Sequence, residues 1–303
     1  MSTPKTCRAA VITEFHKPLE IWELPIPDPE PGAMVVKTEA TTVCGTDVHL
    51  WKGELPITLP VILGHETVGR IEALGDGVET DWGGQPLKIG DRVTWNSATS
   101  CGKCYYCAQK RQPTRCPHRK VYGITYGVAD GPLGGWADHI WMKPGVKLLR
   151  FPEHVNPATF IAGGCGLVTS VHAVERGEVR LGHSVAVLGA GPVGIAAAAL
   201  ARLSGANPVI VIGAPAPRLA FAREMGATDI INASNIDAVE AVKDLTDGRG
   251  VPYSFEAIGL KKTAEQCFAM LAPGGVATII GMIPFGTKIE LHGADFLRDR
   301  KIQ

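Results

Sequence analysis

The stretch that most restricts what this chain can fold into is His183-Ser-Val-Ala-Val-Leu188 running into Gly189-Ala-Gly191-Pro-Val-Gly194 and then an alanine-rich apolar segment to about Leu203. A short, wholly apolar strand, a glycine turn and a helix in direct succession form the opening of a βαβ unit, and few other local structures accommodate that order. Gly189 makes the turn, Gly191 lets backbone approach a pyrophosphate, and Gly194 lets the helix lie close on the sheet. The helix beginning at Pro192 and Val193 presents free amide hydrogens to phosphate. Downstream, strand and helix signals alternate: strands at Val209 to Ile212, Asp229 to Ile231, Tyr253 to Ala257 and Val276 to Gly281, and helices at about Arg218 to Met225, Asn235 to Leu245 and Lys261 to Leu271. Such alternation requires a parallel sheet with right-handed crossovers, and a dinucleotide is the expected ligand.

The second strand normally ends in a carboxylate that binds the adenosine ribose. Here it ends in Gly213-Ala-Pro-Ala-Pro, so a 2′-phosphate meets no repelling charge, and Arg218 is in reach of ribose or phosphate. NAD and NADP both stay open.

The first half reads differently. Short apolar runs (Ala9 to Ile12, Leu19 to Leu24, Met34 to Ala40, Thr67 to Ala73) alternate with Pro-rich punctuation, the pattern of a compact, partly barrel-like β domain. At 303 residues the chain exceeds one comfortable core. Two domains are expected, 1–155 and 156–303, with the boundary near Phe151 to Asn156 where prolines interrupt the run. Thirty basic and thirty acidic residues balance, which argues against nucleic acid or an anionic membrane as the main partner. The N-terminus lacks the apolar core of a signal peptide, and Ile195 to Leu203 is too short to span a bilayer, so a cytoplasmic location is expected.

Eight cysteines in such a chain read as thiols or metal ligands. Cys101, Cys104, Cys107 and Cys116 are clustered within a lobe at about 97–118, a spacing specific for a structural zinc whose four thiolates close the shell. Cys44-Gly-Thr-Asp-Val-His49, followed by Gly64-His65-Glu66, gathers a thiol, imidazoles and carboxylates in one span. Zinc accepts both sulfur and nitrogen, and Cys44 and His65 supply two of the three protein ligands that a catalytic zinc needs. The residues alone leave the third open. Trp51 and Ser97 are candidates for the neighbourhood of a substrate pocket.

These residues resemble the zinc-containing medium-chain dehydrogenase/reductase family, alcohol dehydrogenase type. Gly64-His65-Glu66-x2-Gly69-x5-Gly75-x2-Val78 matches its zinc signature, and CGTDVH, GDRV (Gly90 to Val93), the four-cysteine lobe and GAGPVG follow in the family's order. The interval from Cys107 to Cys116 is one residue longer than usual. The resemblance implies a GroES-like β domain and a Rossmann domain with the active site in the cleft between them, two zincs per chain, and association as a dimer or tetramer. It places Cys165 as the third ligand of the catalytic zinc, where polyol dehydrogenases tend to carry Glu. Glu66 falls beside the metal as an occasional ligand, Asp47 behind His65, Thr46 and His49 in a proton relay, and Thr169 by the nicotinamide. It implies hydride transfer between a primary or secondary alcohol, or the matching carbonyl, and NAD(P). The alternatives are a polyol or amino-alcohol dehydrogenase of the same superfamily, and a non-catalytic zinc- and nucleotide-binding protein, since relatives continue past the position of Gln303 and return to the catalytic domain.

Overall fold

The structure, a computed structural model, describes residues 5–234 and 236–303. It divides into two compact units, Met1–Gly164 and Cys165–Gln303.

The first unit is built on β1 (Thr6–Ile12), β2 (Glu20–Pro25), β3 (Met34–Thr41), α1 (Gly45–Trp51), β4 (Val61–Ile62), β5 (Thr67–Leu74), β6 (Arg92–Trp95), β7 (Ala98–Thr99), β8 (Lys120–Val121), β9 (His139–Met142) and β10 (Leu148–Arg150). Two antiparallel sheets, β2-β1-β4 and β10-β6-β5-β3-β9, form the partly closed β domain, and β7 pairs with β8 beside them. Strands β3, β5 and β6 send Val36, Ile71 and Val93 into one core with Tyr122, Ile140 and Met142, each large side chain worth roughly 1.5–3 kcal/mol on burial. On one edge, Arg70 forks onto both Glu153 oxygens at 2.9 and 2.8 Å and, with Arg92, holds Glu39. That network ties the segment after β10 back onto β5 and β6.

Two helices lie where no helical periodicity was expected. α1 begins at the very Cys44 stretch whose flanks read as strand; at seven residues it is too short for a periodic pattern, and its start is fixed by Asp47 Oδ2, which accepts the Cys44 amide at 2.8 Å. α2 (Pro157–Gly177) covers a glycine-rich run that propensity disfavours, and it breaks at Gly164 (φ 43°, ψ −143°), where the first unit ends. By length and composition α2 is also the one helix among the described residues able to cross a membrane, with mean hydropathy 1.3, although Ile161, Ser170, Ala173 and Val174 along it are buried.

The second unit orders β11 (Val185–Leu188), α3 (Pro192–Leu203), β12 (Val209–Gly213), α4 (Ala216–Glu224), β13 (Asp229–Asn232), α5 (Ala238–Asp244), β14 (Val251–Glu256), α6 (Lys261–Ala269), β15 (Leu271–Ile279) and β16 (Lys301–Ile302). Its sheet is parallel throughout, in the order β13-β12-β11-β14-β15-β16. That is the doubly wound dinucleotide-binding order, with the strand sequence reversing at β11. Because helices cover both faces, β11 and β12 are continuous apolar runs with no alternation: Val185 to Leu188 and Val209 to Ile212 are all essentially inaccessible. The helix expected from about Asn235 starts at Ala238, capped by Asp237 Oδ1 on the amides of Val239 and Glu240; Asn235 itself lies outside the described residues. The last expected strand starts earlier, at Leu271, and pairs with β14 across a bulge between Val251 and Tyr253.

Candidate metal centres and dinucleotide site

At the four-cysteine lobe, one wide helical turn (Tyr105–Gln109) and a short 3-10 turn (Pro113–Arg115) fold Cys101, Cys104, Cys107 and Cys116 onto one point. Sulfur separations are 3.5 Å for Cys104 to Cys107, 3.8 Å for Cys104 to Cys116 and 3.5 Å for Cys116 to Cys101. A disulfide would bring sulfurs to about 2.05 Å, whereas four sulfurs at about 2.3 Å around one zinc stand about 3.8 Å apart. The donor set therefore fits zinc, and the Cys107 to Cys116 interval contains the 3-10 turn just before Cys116. Amides of Lys103 and Cys104 bring the Cys101 thiol down to about 6, while burial and the neighbouring sulfurs push Cys107 up to about 11. Thiols must lose their protons to bind a metal, so zinc binding here would release protons.

The second centre is assembled from two turns of the first unit. Cys44 stands at the N-terminus of α1, and His65 and Glu66 sit in the turn between β4 and β5; their ligand atoms lie within 4.8 Å of one another. Asp47, 1% exposed, has Oδ1 3.2 Å from His65 Nδ1, leaving the other ring nitrogen for a metal. Neither of those two atoms has any other partner among the described residues. Burial opposes a charge on His65, but its hydrogen bonds to Asp47 and Cys44 overcome it and lift the imidazole to about 10. A Cβ on Gly164 would stand 2.5 Å from the Glu66 carboxylate, so the chain passes in direct contact with this centre. Cys165 is one peptide bond further, at the first position of the second unit.

Thr46 and His49 lie three residues apart on α1, hence on one face. His49 Nδ1 is hydrogen-bonded to Glu54, a residue that sequence reasoning passed over. The overlooked signal was local: a glycine just past a helix end turns the chain back over its last turn. Trp51 closes α1 with its indole nitrogen on the Lys17 carbonyl at 2.8 Å and lines, with Leu19, Val43, Val48 and Trp136, an apolar cavity of about 290 Å³. Ser97 is in the loop before β7, where its carbonyl accepts the Tyr122 amide.

In the second unit the glycine turn has the shape a pyrophosphate needs. A Cβ at Gly194 would sit 1.9 Å from the Gly189 carbonyl, so no larger residue fits, and one at Gly191 would meet nothing within 4 Å. Pro192 and Val193 open α3 beside that space. Ser170 Oγ donates to the Val193 carbonyl at 2.9 Å and anchors the second segment of α2 there, with Thr169 next to it and exposed. At the end of β12 a Cβ on Gly213 would stand 3.0 Å from the Ala190 amide, so the strand end runs close against the glycine turn. Arg218 is exposed in the first turn of α4. Glu256, fully buried, is a further residue not singled out from sequence. Its carboxylate accepts the amides of Ile258 and Gly259 and the Thr263 hydroxyl at 2.7–2.9 Å, bracing the loop that flanks Gly189.

Comparison with known proteins gives the same two-part picture. Residues 30–153 match the family model described as alcohol dehydrogenase GroES-like domain, and residues 192–303 that described as zinc-binding dehydrogenase. The chain is 37% identical over 280 residues to 5-exo-hydroxycamphor dehydrogenase of Pseudomonas putida, spanning 91% of this chain and 76% of that protein. Among solved structures, an alcohol dehydrogenase from Thermotoga maritima superposes with a TM-score of 0.92 at 32% identity, covering 98% of this chain and 84% of the other. A zinc-binding dehydrogenase from Sinorhizobium meliloti bound to NADP gives 0.87 at 30%, covering 99% and 84%. Fold and donor sets together define an oxidoreductase of the dehydrogenase class. The chain belongs to the zinc-containing medium-chain dehydrogenase family.

Proposed function

We propose that this chain oxidises a primary or secondary alcohol, or reduces the matching aldehyde or ketone, with zinc in the Cys44 centre and NAD or NADP on the Gly189 turn. The observation that carries the reading is the convergence of Cys44, His65 and Glu66 with a buried carboxylate behind the imidazole. Cys44 and His65 hold the metal, with Glu66 beside them as an exchangeable donor, and the family resemblance supplies Cys165 as the remaining protein ligand. Asp47 orients His65 and keeps its metal-facing nitrogen basic. When bound, zinc supplies Lewis acidity at the substrate oxygen. Thr46 accepts the substrate proton and His49, half-exposed, carries it to water. The apolar lining from Leu19 to Trp51 keeps bulk water off this side of α1.

The four-cysteine lobe holds a second zinc with no open position, so its role is to fix its own loop. Gly189, Gly191, Pro192, Val193 and Gly194 take the pyrophosphate, and Thr169 supports the nicotinamide. Gly213 without a carboxylate, followed by Arg218, leaves the adenosine end open to a 2′-phosphate, so both cofactors are used. We further propose a cytoplasmic homo-oligomer.

The test is turnover of the zinc-loaded chain with a panel of primary and secondary alcohols and each cofactor, read as NAD(P)H formation. Zinc-dependent reduction of cofactor is expected, and binding of zinc and nucleotide with no turnover on any alcohol would contradict the reading.

A further inference from the structure

The end of α1 is built in a way that gives His49 a fixed partner. Helix-end geometry decides which side chains meet: the Gly53 amide donates to the Leu50 carbonyl at 3.0 Å and the Glu54 amide to the His49 carbonyl at 3.0 Å. This pair of bonds is a Schellman motif, in which the residue after the left-handed position is folded back over the residue five before it. Gly53 supplies that position with φ 72°, and Phe15 packs against it so closely that a Cβ would come within 3.1 Å of the ring. In most helix ends the two residues so juxtaposed make an apolar contact. Here they are an imidazole and a carboxylate, bonded through His49 Nδ1 and Glu54 Oε2.

Resting on the relay assigned to His49 above, we infer that Glu54 is the positioning residue of that relay. It accepts the Nδ1 proton, so the neutral ring keeps Nε2 unprotonated and able to take a proton from Thr46, and its charge stabilises the imidazolium that results. The bond logic is that of any carboxylate-held histidine base: the donor O–H breaks, Nε2–H forms, and water later removes that proton, returning His49 to the same tautomer. Glu54 touches neither substrate nor cofactor in this scheme and acts only through the ring. The hydrogen bond from His49 is also the largest cause holding the Glu54 carboxyl below its usual range, against the opposing effect of burial. Other charged or titratable groups facing it are Lys52 at the end of α1 and His16 in the segment after β1. Both lie on the cationic side and help keep Glu54 ionised.

The experiment compares wild type, Glu54→Leu, Glu54→Gln and Glu54→Asp by 15N NMR of labelled histidines and by pH-dependent turnover. In wild type the His49 ring is expected to carry its neutral proton on Nδ1, and in Glu54→Leu on Nε2. The turnover of Glu54→Gln is expected to fall about tenfold, most at pH values where the wild-type ring is neutral, with recovery on adding imidazole as a mobile base and partial rescue in Glu54→Asp, while zinc content stays constant. A wild-type His49 protonated on Nε2, or a Glu54→Gln pH profile and buffer response equal to wild type, overturns the inference. His49→Gln separates it from the underlying reading: if His49→Gln slows turnover and gains buffer rescue but Glu54→Gln does neither, only the role of Glu54 is lost. If His49→Gln is indifferent, the relay is lost with it.

Discussion

The two cysteine-bearing centres are built on opposite principles. In the lobe, four sulfurs come from one contiguous stretch, each positioned by turns a few residues long, and every donor is of one kind. At Cys44 the donors are mixed and come from the start of a helix and from a turn after a strand, with Asp47 buried behind His65 as an outer support. A local, all-thiolate set can saturate a metal and needs no help from the fold. A mixed set drawn from separate turns leaves coordination open, and it works only while the surrounding β domain holds its parts in place. The first arrangement serves the loop; the second lets the fold serve chemistry.

Disrupting each centre in turn should separate these roles. The largest effect is expected from Cys44→Ser or His65→Ala, which should lower alcohol oxidation by at least about a thousandfold, as loss of a metal and its Lewis acidity implies, with the melting temperature of the chain nearly unchanged. Cys104→Ser should do the reverse. Zinc content falls by one per chain, the lobe becomes protease-sensitive, and stability drops by several kcal/mol, read by calorimetry; unchanged protease resistance would remove the structural role of the lobe. Asp47→Asn keeps the ligands but leaves His65 poorly oriented, and zinc affinity at this centre alone should weaken about 10–100-fold, measured by competition with a chelator.

Smaller effects concern the second unit. Gly194→Ala forces a methyl against the Gly189 carbonyl, and overpacking of this kind costs about 1–3 kcal/mol. Nucleotide affinity should fall with it, while both zincs stay in place, as calorimetric titration would reveal. Smallest is Arg218→Ala: NADP affinity should drop about fivefold, the loss of one exposed charge contact, with NAD affinity unaffected. Equal loss for both cofactors would place Arg218 away from the 2′ position.

How much of this could be read from sequence depended on how local each feature is. The strand from Val185, the glycine turn and α3 are contiguous, so their order alone specifies the parallel sheet and its switch point. The four-cysteine lobe was legible for the same reason. Cys165 carries no such signal, because nothing in its small apolar surroundings marks it as a ligand; the proposal for it rests on the family resemblance alone. α1 and α2 were missed because one is too short to show a period and the other is rich in glycine and broken at Gly164. Glu54 and Glu256 escaped because their importance lies in what the backbone folds them against, a helix end in one case and a loop beside Gly189 in the other.

The most direct test of the contrast between the centres is zinc-edge X-ray absorption of the fully loaded chain, with zinc quantified per mole. One all-sulfur site and one proposed site of two cysteines and a histidine would give two zincs averaging about three sulfurs each, with a nitrogen or oxygen contribution that disappears in Cys44→Ser. A single zinc with four sulfurs, or a spectrum unchanged by Cys44→Ser, would contradict it.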